Sequence, residues 1–122
     1  MKLFAHALLI TGTLAASQAF ACDYPVAPGK FPDGSAATKD EMVAAHRDVK
    51  KYDSDMKAYL ECLATEYNAK VEAQKDITPD QKAAMDKKQT QKEDAAMKEV
   101  TDTVARFNEQ LKAWHEKNDP KK

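Results

Sequence analysis

The sequence predicts an all-α fold: an antiparallel, coiled-coil-like two-helix hairpin with an extended, Pro-rich N-terminal arm pinned by a disulfide. Three observations lead there. Apolar residues recur at alternating steps of three and four from Met42 to Leu63 and again from Met97 to Trp114, the spacing that keeps one face of a helix apolar. One break, Asp76-Ile77-Thr78-Pro79, separates the two runs. Two cysteines, Cys22 and Cys62, stand at the head of the arm and in the middle of the first helical pattern.

Residues 1–21 read as a signal peptide. Lys2 gives the positive n-region, Leu3 to Ala16 the apolar stretch, and Ala19-Phe20-Ala21 an A-x-A site with cleavage after Ala21. The apolar run is too short for a comfortable membrane span, so no stable membrane insertion is expected after cleavage. Lipoprotein signals also place a cysteine after the cut, but they carry Leu and a small residue where this chain has Ala19 and Phe20. Ordinary cleavage is therefore favoured over lipidation of Cys22. The bacterial character of the signal implies the periplasm.

Cleavage removes 21 residues, of which only Lys2 carries a formal charge. It leaves 101 residues with 18 basic and 20 acidic side chains, a net charge of −2. That length holds one small domain, and the charge balance gives no electrostatic case for nucleic acid. High charge content with only three glycines favours long solvated helices over sheets.

In an oxidising compartment two cysteines in a small chain pair most often with each other. A Cys22–Cys62 bond would constrain the unfolded state by about 3–4 kcal/mol in the chain-entropy model. Two free thiols or an intermolecular bond are the other arrangements open to the sequence.

The arm is residues 22–37. Pro25, Pro28 and Pro32, with Gly29 and Gly34, exclude a helix, and Pro32-Asp33-Gly34 signals a turn. Tyr24, Val26 and Phe31 are apolar enough to need a surface. Thr38 then opens a helical hairpin over 38–117. Thr38 and Glu41 form a capping box, and the first helix runs over about 39–75 on the seam Met42, Ala45, Val49, Tyr52, Met56, Tyr59 and Leu63, with Val43 and Leu60 widening it. Thr78 as N-cap, Pro79 at N1 and Gln81 at N3 start the second helix. It spans about 79–117 with the seam Met97, Val100, Val104, Phe107, Leu111 and Trp114. Asn118-Asp119-Pro120 stops it and leaves a tail over 118–122.

So short a connection folds the helices back antiparallel, pairing residues whose numbers sum to about 153. Ala45 then meets Phe107, Met42 meets Leu111, and Met56 meets Met97. The register also sets Tyr59, Leu60 and Leu63 opposite Lys87–Asp94, which holds no apolar residue. The arm, anchored at Cys62, is expected to cover that apolar surface.

Catalytic patterns are absent: there is no phosphate-binding Gly-rich loop, no G-x-S-x-G, no H-E-x-x-H and no C-x-x-C. The chain reads as a non-enzyme without a cofactor. His46 and His115, with Met42, are the candidates for a soft or borderline metal such as copper or zinc. Methionines on the seam read first as core filler. Charged residues at i,i+4, Glu66–Lys70 and Asp94–Lys98 among them, read as a solvated face.

Cys22-Asp23-Tyr24-Pro25, then Pro32-Asp33-Gly34-Ser35 with Ala37-Thr38 and Glu41-Met42, then Tyr59-Leu60-Glu61-Cys62-Leu63, resembles small exported proteobacterial proteins with no assigned activity. The resemblance covers residues 22–63 and implies no mechanism. The expectation is an exported protein working by contact with an unknown protein partner, in a partner-binding, stress-related or chaperone-like role, with homo-oligomerisation open. Copper or zinc binding, and inhibition of an envelope-directed enzyme through a loop at Pro32-Asp33-Gly34, are the alternatives.

Overall fold

Two long helices, α1 (Lys39–Ala73) and α2 (Pro79–Asn118), carry the fold. The computed structural model describes residues 22–119, so the signal peptide expected over 1–21 and the last three residues of the expected tail lie outside the described residues. No strand occurs among the described residues.

Both helices begin as the sequence dictates. Thr38 Oγ1 accepts the Glu41 N–H at 3.3 Å, and the Glu41 carboxylate accepts the Thr38 N–H at 2.7 Å. Thr78 and Gln81 form the same reciprocal pair at 3.2 and 3.0 Å. Each box satisfies two donors that a helix start leaves without a partner. α1 stops at Ala73, two residues before the expected end. Thr78 must be extended to cap α2, and the residue before a proline disfavours the α region, so Gln74–Thr78 is left as the connection.

The helices pack against each other in opposite directions. Met42, Ala45 and Val49 of α1 form one buried cluster with Phe107 of α2. Tyr52 and Met56 form a second with Ala96 and Val100. Nearer the connection, the Tyr67 hydroxyl donates to the Asp86 carboxylate, which Lys82 also engages. Tyr67 and Asp86 sum to 153, the expected register.

Along α1 the expected seam is the buried one, with Tyr59 half-buried and Val43 exposed. Along α2 the expectation fails at one point. Met97 is 52 % exposed, and its neighbour Ala96 is fully buried instead. Ala96 packs there in one buried cluster with Tyr52, Met56 and Val100, so the smaller residue takes the inward position. Lys98 likewise bridges Asp102 at 2.5 Å, not Asp94, whereas Lys70–Glu66 forms as expected at 3.5 Å. In the polar tract Gln89 and Glu93 turn inward, half-buried, and Gln89 Nε2 donates to Glu93 Oε1 at 2.7 Å.

The arm is tied down from end to end. Cys22 and Cys62 form a disulfide with Cα atoms 5.8 Å apart. Tyr24 sets its edge on Tyr59 with ring centroids 4.9 Å apart, and its hydroxyl donates to Glu99 of α2 at 2.6 Å. Ala27 packs on the Tyr52–Met56–Val100 cluster. Phe31 packs edge-on against Phe107 at 5.5 Å, with the Arg106 guanidinium over its face at 5.7 Å, a cation–π contact. Val26, expected on this surface, is 92 % exposed. An arm without regular structure has no period to predict its inward residues, and the smaller Ala27 fits where Val26 was expected.

Candidate protein-contact face

The arm divides the hairpin into two unlike sides. On one, Pro28, Phe31 and Pro32 line a hollow with Ala44, Ala45 and Asp48, and Tyr24 and Pro25 line another with Ala58 and Tyr59. The opposite side has no arm over it. There a groove of about 200 Å³ opens between the helices, walled by Met42, Val43 and His46 of α1 and Phe107, Leu111 and Trp114 of α2. It continues into a second hollow bounded by Val49, Lys50, Val104 and Asn108. No arm residue lines either one.

Helical spacing explains the split. On α2 the polar residues meeting the arm are Glu99, Arg106 and Gln110. Met97, Val104 and Leu111 follow a seven-residue step on the other side of the buried line. On α1, Lys39, Val43, His46 and Lys50 run at steps of four, three and four along the open rim. Val43 and Met97 are the two large apolar side chains of the helices that stay about half exposed, at 48 % and 52 %. Val43 lines the groove, and Met97 lies beyond its Val104 end.

On the arm side the chemistry is that of a clamp. Glu99 takes the short bond from Tyr24 and has Tyr52 as a neighbour. Burial, with the Glu99 carboxylate close by, pushes the Tyr52 phenol up to about 12. Tyr24 is raised further by burial and then by its bond to Glu99. The Tyr52 hydroxyl is buried without a hydrogen-bond partner among the described residues, so Glu99 acts on it through proximity of charge.

The expected turn is a second clamp. Asp33 Oδ1 accepts the Ser35 N–H at 2.9 Å and the Ser35 hydroxyl at 2.7 Å, and these bonds lower the Asp33 carboxyl. The Gly34 N–H donates to Gln110 Oε1 at 3.0 Å. Gly34 is buried against α2 and does not face solvent.

The metal candidates are scattered among other roles. Met42 is buried in the core at 4 % exposure. His46 lies parallel to the Phe107 ring at 5.9 Å, on the wall of the groove. His115 Nδ1 is 2.6 Å from Asp119 Oδ2, with its ring at the edge of Trp114. Among the described residues, no three His, Cys, Asp or Glu side chains gather as ligands would. Among them also, no helix is long and apolar enough to cross a membrane.

Comparison with protein-family models, curated proteins and solved structures finds no match.

The cysteine count and the export reading pointed to the disulfide, and sequence spacing to the caps and the α1 seam. Spacing missed Glu99, Arg106 and Gln110, because surface-type residues at regular helical spacing carry no sign that an arm lies across them. The open groove also went unseen. Its signal was available in Val43, an apolar residue one step off the tightest seam.

Proposed function

We propose that this chain is an exported, non-enzymatic helical protein of the periplasm that acts by protein contact, and that the arm-free groove is the contacting face. One observation carries the reading: an apolar channel runs between the helices on the side the arm leaves bare, with Val43 half exposed on its rim. Isolated exposed hydrophobics are ordinary, but a contiguous apolar concavity marks an interaction site. The disulfide fits an oxidising compartment.

Site-specific photo-crosslinking tests it. A photoreactive side chain at Val43, in cells exporting the full chain, is expected to give a discrete crosslinked product. The same group at Val26, exposed but on the arm, is expected to give none. Failure to crosslink from both Val43 and Asn108, which lines the other wall of the groove, would remove the contact reading.

A further inference from the structure

The rims of the groove differ in charge, and that difference specifies an occupant. On the α1 side stand Lys39 and Lys50, with His46 between them. Neither lysine has a carboxylate within 4.0 Å among the described residues. Lys51, one step further round the helix, and Lys57, two turns beyond Lys50 along the same line, are each bonded to an aspartate four residues away. Asp53, the acidic group beside this rim, is already held by Lys57 at 2.6 Å. The α2 rim offers Val104, Asn108, Leu111 and Trp114, none of them charged. One wall is therefore basic and the other neutral, above an apolar floor of Met42, Val49 and Phe107.

We infer that the groove receives an amphipathic helix from a partner protein, apolar on its buried face and carrying carboxylates along one flank only. The inference rests on the contact reading above. Two packed antiparallel helices present a trough that a third helix fills in bundle packing. From Lys39 to Asp53 the trough runs about 21 Å at 1.5 Å per residue, about four turns. Carboxylates spaced seven and four residues apart on the incoming helix would meet Lys39, His46 and Lys50 in turn, and such complementarity selects partner and orientation.

A second copy of this chain is a poorer occupant. In a two-fold pairing each residue faces the other copy's version of the same surface, so the groove would bring one basic and one neutral rim against the same pair. Both rows of cations would stay unpaired. A bilayer is poorer too, because it needs an apolar ridge that projects, and here the apolar groups line a concavity.

The test uses two synthetic helical peptides of about four turns with the same Leu-rich face, one flanked by Glu and one by Lys. Fluorescence anisotropy against the oxidised protein, purified after export, is expected to show the Glu peptide binding about tenfold more tightly, with affinity falling as salt rises. The double variant Lys39→Glu/Lys50→Glu is expected to reverse that preference while helix content and melting temperature hold. Val43→Asp should weaken both peptides. Equal affinity for the two peptides overturns the inference and leaves the contact reading standing. So does binding of neither peptide when Val43 still crosslinks; loss of both signals defeats both. Sedimentation showing a dimer that Val43→Asp dissociates, or Lys39-dependent binding to anionic phospholipid vesicles, would assign the face to a second copy or to a bilayer and overturn the inference.

Discussion

Gly34 lies so close to α2 that a β-carbon on it would sit 1.8 Å from the Gln110 carbonyl oxygen. Its φ is not positive, so the position asks for glycine because of space and not because of backbone conformation. The contact joins the far end of the arm to the second helix, as the disulfide joins its near end to the first.

Gly34→Ala should therefore lift the turn off α2 and cost on the order of 1–3 kcal/mol, as overpacking does. Gly29 supplies the control, since nothing lies within 4 Å of a β-carbon there. Gly29→Ala is expected to be neutral, or stabilising by about 0.4–1 kcal/mol through a less free unfolded chain. Urea denaturation of both variants reads the difference.

Opening the disulfide should act on one end of the arm only. Cys62→Ser removes about 3–4 kcal/mol of constraint on the unfolded chain and frees Tyr24 and Ala27. Phe31 remains held by Phe107 and Arg106. Hydrogen exchange should quicken around Tyr52 to Leu60 and stay slow around Ala45 and Phe107, and a hydrophobic dye should bind more. Unchanged dye binding and melting temperature would show that the arm is not the cover at that end.

Tyr24 and Tyr52 should report on the clamp at high pH. Both phenols are raised in the folded state, so their contribution is intact below the ordinary phenol value of 10.0. It is lost as pH rises through the folded value, about 12 for Tyr52. Absorbance titration should show these two among the four tyrosines ionising late, with stability falling over that same window. Glu99→Gln should bring both titrations down towards the ordinary value.

Phe107 is the residue on which three surfaces converge: the α1 core, Phe31 of the arm, and His46 at the groove. Phe107→Ala is expected to cost about 3–5 kcal/mol. Thermal melting should show a loss larger than that of Val100→Ala.

Ala96 and Met97 show where the sequence was legible and where it was not. Three-four spacing located α1 and its inward face because Met42, Val49, Tyr52, Met56 and Leu63 are all large and apolar. On α2 the same rule favours Met97, yet the tight approach of the helices favours Ala96. Hydrophobic spacing measures which residues prefer burial, and it does not measure the room available. Met97→Gln is expected to change stability by less than about 0.5 kcal/mol, whereas Ala96→Gln, at a fully buried position, should be strongly destabilising. The arm was legible as an arm through its prolines, and its footprint was not, because contacts made by Tyr24, Ala27, Phe31 and Gly34 follow no period. The open groove is a by-product of that footprint: an arm covering one side leaves the other bare.

The Cys22–Cys62 bond also governs how the chain would respond to force. Tension applied at Cys22 and at the end of α2 passes through the sulfur atoms straight into the middle of α1. The forty-residue segment between the cysteines, about 130–145 Å of contour if fully drawn out, never enters the load path. Pulling can unravel the chain beyond Cys62, but the arm and the first two-thirds of α1 stay a closed covalent ring. That ring carries Val43, His46 and Lys50, the α1 wall of the groove, so half of the contacting face stays within a covalently closed loop even when the other half is torn away.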